Sequence, residues 1–189
     1  LNAVVSLYRK ISRYLENHRA LSRSLSLDKK AKKGEQLHKI HKIVLTGGPC
    51  SGKTTALTVI TAKLRERGYI VYTVPEAATL IALGGGMIDT SKMTIDENIK
   101  FQSCIAEYMM THEDRFIELA HIGDRSAPVV ILFDRGMMDN KAYMQSEEAW
   151  QELLDQKGWT ECDIRDKRYD GVIHLVTAAD GAWEHYTTE

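Results

Sequence analysis

Apolar positions in the first quarter of the chain recur at helical spacing: Val4, Leu7, Tyr8, Ile11, Tyr14, Leu15, His18 and Leu21. Arg9, Lys10, Arg13, Arg19 and Arg23 fill the remaining faces, so the pattern predicts a basic amphipathic helix over 4–23. Ser22, Ser24, Ser26 and the Lys29–Lys33 cluster that follow are too polar to build a core, and 22–38 reads as a linker. From residue 42 onward the pattern changes to short apolar runs alternating with helical stretches. Strands are predicted over 42–46, 69–74, 128–133 and 171–176. Helices are predicted over 53–67, 76–83, 94–121 and 141–156. Thr94-Ile95-Asp96-Glu97 has the form of a capping box and marks a helix start. Such alternation predicts an α/β domain of three layers, with a mostly parallel sheet covered by helices on both faces.

A length of 189 residues allows one well-buried α/β domain with an extension. The division expected is a basic helix and linker over 1–41 and the α/β domain over 42–189. The chain starts at Leu1 and ends Tyr186-Thr187-Thr188-Glu189, without a stop signal for an element, so it reads as a piece of a longer protein. The net charge of −1 conceals an asymmetry. Residues 1–42 carry eleven Lys/Arg against three Asp/Glu, and residues 43–189 carry fourteen against twenty-three. No run of about 18 apolar residues and no secretory leader is visible, which points to a cytoplasmic protein with peripheral membrane contact left open. Cys50, Cys104 and Cys162 are widely separated and read as reduced thiols, with neither zinc nor disulfide spacing.

The strongest chemical signal follows the first predicted strand. Gly47-Gly48-Pro49-Cys50-Ser51-Gly52-Lys53-Thr54 has the spacing of a phosphate-binding loop that opens a helix, with Thr55 next in line. Glycines let backbone N–H groups curl around phosphate oxygens, and the helix N-terminus adds a favourable dipole. Lys53 reaches the β and γ phosphates, and Thr54 offers a hydroxyl to Mg²⁺. The alternative is a structural glycine-rich turn. Val129–Phe133 is wholly apolar and ends in Asp134, the arrangement that holds Mg²⁺ or its water, although an Asp after a strand also serves as a turn or cap residue. Thr54 and Asp134 are therefore the candidate metal residues, and the cofactors implied are Mg²⁺ and a nucleoside triphosphate, GTP or ATP.

Arg135 is placed to contact phosphate or substrate, or to stand exposed in a loop. Glu76 follows the second strand, where ligands of α/β sheets sit, and reads as a general base, a second metal contact or a helix-start carboxylate. Lys53, Glu76, Asp134 and Arg135 make up the candidate catalytic set. Asp139 reads as a weaker candidate or as the cap of the next helix. Gly84-Gly85-Gly86 reads as a closing loop or a flexible connector. Phe101 and Gln102 line an acceptor pocket or belong to the core. Cys50 is a low-pKa thiol at a helix N-terminus or simply a small residue that fits. His174, alternating within an apolar strand, reads as a core histidine rather than a ligand.

The segments TGGPCSGKTT, VYTVPEAAT, VVILFDRGMMD and YDGVIHLVTAADGA, spread over 42–187, resemble the nucleotide-binding domain of the TRPL-translocation-defect proteins. That AAA-like P-loop family is also similar to nicotinamide-riboside and other small-molecule kinases. The resemblance implies a kinase-like P-loop fold, GTP and phosphoinositide binding, a role in membrane-protein trafficking and a C-terminal triphosphate-tunnel-like domain, which is expected to fall outside these 189 residues. It also implies a lid beyond Ala178-Ala179-Asp180-Gly181, where the chain soon stops. It carries over Gly52, Lys53, Thr54, Asp134 and Arg135 as phosphate and metal residues. Asn140-Lys141-Ala142-Tyr143 does not satisfy the Asn-Lys-x-Asp pattern that reads guanine in small GTPases.

Two functions follow. One is a regulatory GTP-binding module attached to anionic lipid through the basic helix, where phosphorylation of Ser22 or Ser26, each three residues after an arginine, subtracts charge. The other is a small-molecule kinase with a nucleoside-like acceptor. No nucleic acid partner is expected, and protein partners are unknown.

Overall fold

The computed structural model describes residues 2–27, 39–49, 51–86, 89–123 and 126–176, with the side chains of the first helix described over 4–18. Cys50, the Lys29–Lys33 cluster and Ala178 to Gly181 lie outside the described residues. The elements are α1 (Asn2–Leu27), β1 (Ile40–Thr46), α2 (Lys53–Glu66), β2 (Ile70–Val74), α3 (Ala77–Leu83), α4 (Ile95–Ile122), β3 (Val129–Asp134), α5 (Glu147–Lys157) and β4 (Gly171–His174). Short 3₁₀ turns cover Thr90–Lys92 and Met137–Tyr143, and a π turn covers Cys162–Lys167.

The four strands form one parallel sheet in the order β2-β3-β1-β4. Strand β3 is central and solvent-free from Val129 to Phe133, as its unbroken apolar run requires of a strand covered on both faces. Alternation splits its side chains between two cores. Val129, Ile131 and Phe133 pack with Val44, Val74, Ile99, Met109, Trp150 and Leu153 beneath α4 and α5. Val130 and Leu132 pack with Ile43, Leu45, Leu57, Ile60 and Leu64 beneath α2. Strand β1 pairs with β3 so that Leu45 stands opposite Asp134. The loop leaving β1 and the carboxylate ending β3 therefore emerge side by side at the carboxyl edge of the sheet.

Helix α1 joins the second core. Leu7, Tyr8, Ile11 and Leu15 are buried with Leu57, Ile60, Leu64 and Val71, and Leu15 is only 1% exposed. Burying each such side chain stabilises the docked helix by about 1.5–3 kcal/mol. At the rim Arg67 donates to Ser12 Oγ at 3.2 Å and to Glu16 Oε1 at 3.0 Å, and its guanidinium lies 5.1 Å from the Tyr8 ring centre. The apolar stripe is thus committed to the domain, and Arg9, Lys10 and Arg13 face outward. No helix among the described residues is long and apolar enough to cross a membrane.

Several boundaries differ from the pattern. Helix α1 continues through Leu27, into the stretch predicted as linker, and β1 begins two residues earlier, at Ile40. The helix predicted over 141–156 starts at Glu147, where Ser146 Oγ accepts from Ala149 N at 3.1 Å. The preceding residues form the 3₁₀ turn instead, and the π turn had no periodic signature. Strand β4 ends at His174, which lies on the exposed side of an edge strand and is not a core histidine. The Thr94 capping box is present as predicted: Thr94 N donates to Glu97 Oε2 at 2.8 Å and Glu97 N to Thr94 Oγ1 at 3.3 Å.

Candidate functional site

The loop over 47–52 links β1 to α2 and depends on two glycines for different reasons. Gly47 has φ of +145° and approaches the β4 end so closely that a Cβ there would lie 2.3 Å from Leu175 O. Gly52 caps α2 in the left-handed region, at φ +79°. Helix α2 begins directly at Lys53, so its first N–H groups and dipole point into the loop. Lys53 is 9% exposed, and its Nζ donates to Gly47 O and Gly48 O at 2.9 Å each and to Ser51 Oγ at 3.3 Å. Burial pushes the Lys53 ammonium pKa down and Arg135 adds to the effect, against Asp134, Glu76 and Asp139, which raise it.

Arg135 follows β3 with a left-handed φ of +73°, the one such non-glycine among the described residues. Its backbone N donates to Leu45 O at 2.9 Å, its Nη1 donates to Gly47 O at 3.3 Å, and its Nε donates to Glu76 Oε1. The guanidinium also lies 5.9 Å from the Tyr143 ring centre. Burial draws the Arg135 pKa down, but Glu76, Tyr143 and Asp139 together outweigh this and hold the pKa above its ordinary value. Lys53 and Arg135 thus converge on one neutral acceptor, Gly47 O. An anionic oxygen makes stronger charge-assisted bonds than a carbonyl and would displace it.

Glu76 opens α3 without capping it, holding Arg135 through one oxygen and accepting from Thr79 Oγ1 through the other at 2.8 Å. Asp134 and Thr54 line one cleft at the end of the sheet. Asp134 Oδ1 is buried with no hydrogen-bond partner among the described residues. Burial first, then the neighbouring Glu76 charge, pushes the Asp134 carboxyl pKa up. An orphaned, desolvated carboxylate oxygen beside a threonine hydroxyl fits Mg²⁺, a hard cation that takes one or two protein oxygens and completes its shell with water and phosphate. No cluster of three or more His, Cys, Asp or Glu suited to a metal occurs among the described residues.

Asp139 caps the 3₁₀ turn over Met137–Tyr143 rather than α5: it accepts at 2.7 Å from Gly136 N, and it also accepts from Thr46 Oγ1, so it ties the end of β1 to the turn after β3. The glycines at 84–86 close the end of α3 through Gly84 N to Ile81 O at 3.1 Å and Gly86 N to Ile81 O at 2.9 Å. They are a hydrogen-bonded helix end, and Met87 and Ile88 beyond them lie outside the described residues.

Glu76, Arg135 and Asp139 form one end of a cavity of about 300 Å³ whose other walls include Phe101, Gln102 and Tyr143. Phe101 and Gln102 therefore line a pocket rather than the sheet-packing core. Two further features had not been read from the sequence. Asn140, 3% exposed, completes the pocket floor and donates Nδ2 to Met137 O at 2.9 Å. Behind it, Tyr169 Oη accepts from Met137 N at 2.9 Å and donates to Glu113 Oε1 at 2.8 Å, while Arg168 holds Glu113 and, at 2.8 Å, Asp114. Burial raises the Glu113 pKa, against the lowering effect of Arg168 and Tyr169. This network pins the turn that carries Arg135. Its one signal in sequence was a carboxylate at 113 on the stripe 102–106–109 that α4 buries.

A phosphate loop between the first strand and helix, the Asp134 strand beside it, and a pocket at the same edge define a P-loop nucleotide-binding domain of α/β fold. The AAA domain family model matches residues 42–188, and the chain belongs to that family. No curated protein matches the chain. Among solved structures, an APS kinase mutant of Mycobacterium tuberculosis is similar to it at 14% identity and a TM-score of 0.37, over 74% of this chain and 78% of that one.

Proposed function

We propose that the protein is a Mg²⁺-dependent phosphotransferase that passes the γ-phosphoryl group of a nucleoside triphosphate to a small hydroxyl acceptor. The observation that carries this reading is the cavity walled by Glu76 and Arg135, because Arg135 also grips Gly47 O of the phosphate loop. A pocket and a phosphate cradle sharing one arginine provide the proximity that transfer requires. Thr54 and Asp134 would hold Mg²⁺, which when bound neutralises phosphate charge. Lys53 and the first N–H groups of α2 hold the phosphates, and Arg135 offsets charge on the transferring group. Glu76 accepts the acceptor's proton as its oxygen bonds to the γ-phosphorus. The bond from the γ-phosphorus to the bridging oxygen breaks, and its electron pair leaves with the diphosphate.

The test is product formation from Mg·ATP or Mg·GTP across a panel of hydroxyl metabolites. Glu76→Gln should lower turnover about 10²–10⁴-fold while leaving triphosphate affinity within a factor of about three. Unaltered turnover in that variant would remove Glu76 from the mechanism, and the absence of transfer to any acceptor would remove the phosphotransferase reading.

A second reading is a GTP-binding regulatory module in the cytoplasm that associates with phosphoinositide membranes and serves membrane-protein trafficking. It is supported by the outward-facing Arg9, Lys10 and Arg13 of α1 and by the four segments that resemble the TRPL-translocation-defect proteins. Contact would be electrostatic, since the apolar stripe of α1 is committed to the core. Each basic residue at an anionic surface contributes about 1 kcal/mol. Arg9, Lys10 and Arg13 replaced together by Gln should then abolish sedimentation with phosphoinositide vesicles. Equal sedimentation of the triple variant would dismiss lipid contact through this face.

A further inference from the structure

Glu76 is the group on which proton transfer depends, yet it stands at a lightly packed place in the fold. It precedes α3, a helix of seven residues in which Ala77 is the buried member. A residue in that position ordinarily turns its side chain back to accept from the N–H groups of the first turn. Glu76 makes no such bond. Its carboxylate is held instead by two side chains, one on each oxygen: Arg135 Nε donates to Oε1, and Thr79 Oγ1 donates to Oε2 at 2.8 Å. A threonine inside a helix more often returns its hydroxyl to a backbone carbonyl one turn back. Thr79 gives its hydroxyl to the carboxylate, and being exposed it has little packing to do.

The two anchors fare differently when a triphosphate enters. Arg135 also donates to Gly47 O, and an anionic oxygen at the phosphate loop draws the guanidinium toward itself because charge-assisted bonds are the stronger ones. Oε1 is then released, as it must be to take a proton. The same event removes one of the two bonds that aim the carboxylate at the cavity walled by Glu76 and Arg135. Thr79 lies outside the cavity lining and in the same helical turn as Glu76, so its bond to Oε2 persists. We infer that Thr79 is the positioning residue for Glu76, holding Oε2 so that Oε1, once Arg135 has left it, faces the acceptor hydroxyl. The inference rests on the phosphotransferase reading above and adds a residue to it. The proton passes from the acceptor oxygen to Glu76 Oε1 as that oxygen bonds to the γ-phosphorus, and the diphosphate leaves with the electron pair of the broken bond. Thr79 keeps its own proton throughout, so it acts on the rate through geometry alone.

The test compares Thr79→Val, which keeps the shape and removes the hydroxyl, with Thr79→Ser, which keeps the hydroxyl. Turnover is followed with the hydroxyl metabolite that gives the most product, or as Mg·ATP hydrolysis where water is the acceptor. Thr79→Val should lower kcat about 10–100-fold while the KM for Mg·ATP stays within about threefold, since a small misplacement of a catalytic group costs rate rather than nucleotide binding. Thr79→Ser should restore most of the lost kcat. In a Glu76→Gln background Thr79→Val should change kcat by less than about twofold, because its effect runs through a base that is no longer there. An equal loss in both backgrounds, or an unaltered kcat in Thr79→Val, overturns the inference and leaves the phosphotransferase reading in place. A crystal structure of Thr79→Val with Mg²⁺ and a non-hydrolysable triphosphate supplies a readout free of turnover. The Glu76 carboxylate should be found turned away from the cavity, and a carboxylate aimed into the cavity as in the wild-type complex overturns the inference as well. Absence of any turnover in the wild type removes the transferase reading and the positioning role with it.

Discussion

The two faces of the sheet are built from equally apolar strands but are closed in opposite ways. Beneath α1 and α2, Ile43, Leu45, Val130 and Leu132 meet Ile11, Leu15, Ile60 and Leu64 in a dense aliphatic layer. Beneath α4, the same strands' other side chains meet a helix that also buries Asn98, Gln102, Ser103 and Glu113. Burying a carboxylate and two carboxamides in one helix is costly unless each has a partner. Glu113 has two, in Arg168 and Tyr169, whereas Asn98 leaves its Oδ1 and Ser103 its Oγ without a partner among the described residues. One face is therefore a stabilising layer and the other a support for chemistry.

Substitutions on the two faces should separate accordingly. Replacing Glu113 by Gln removes the buried carboxylate and leaves Arg168 with the half-exposed Asp114 as its charge partner, which should cost about 3–5 kcal/mol in urea unfolding, as for a broken buried ion pair. Leu15→Ala, on the other face, should cost about 2–5 kcal/mol through the cavity it leaves. The difference lies in function: Leu15→Ala should not change triphosphate affinity, whereas Glu113→Gln should raise the KM for acceptor because the turn at Arg135 loosens. Loss of nucleotide binding in Leu15→Ala would break the division between the faces. Tyr169→Phe is a milder version, stranding Met137 N and costing about 1–2 kcal/mol.

The smallest effect expected is on Asp134. Its folded-state pKa is raised by burial, so between the ordinary carboxylate range and the raised value the native state holds a proton that the unfolded chain has released. Without metal, stability should therefore be greatest below the ordinary carboxylate range and fall as pH rises through the raised value. Asp134→Asn should flatten that dependence near Asp134's titration and stabilise the metal-free protein by about 1 kcal/mol, a Tm gain of about 2–4 °C for a chain of this size. A metal-free Asn variant less stable than wild type at neutral pH would contradict the desolvated-carboxylate account.

How much of this was readable in advance depended on the range of the interaction. Strands β1 and β3 and the loop over 47–52 are local signals: uninterrupted apolar runs, glycines, and a lysine at fixed spacing. The Thr94 cap is likewise a four-residue motif. Helix α1 was legible as a helix, but its docking was not, because an apolar stripe does not name its partner. The pocket assembles Glu76 from the end of β2, Phe101 and Gln102 from α4, and Asn140 and Tyr143 from a 3₁₀ turn, a conjunction that only the tertiary fold creates. The turn at Met137–Tyr143 escaped because its last three residues, Lys141, Ala142 and Tyr143, run on into the helical pattern read over 141–156. It is held instead by Asp139 on Gly136 N and Tyr169 on Met137 N.

The central claim, that Lys53 and the loop around it hold a nucleoside triphosphate with Mg²⁺, is tested most directly by thermal shift. ATP, GTP and their diphosphates would be compared with and without Mg²⁺ on the wild-type protein and on Lys53→Ala. At a ligand concentration 100 times Kd, native-state binding adds about 2.7 kcal/mol, which corresponds to a rise in Tm of about 5–10 °C. A Mg²⁺-dependent rise of that size with a triphosphate, absent in Lys53→Ala, is the predicted result. The same rise in the variant, or none in the wild type with either triphosphate, would contradict the account.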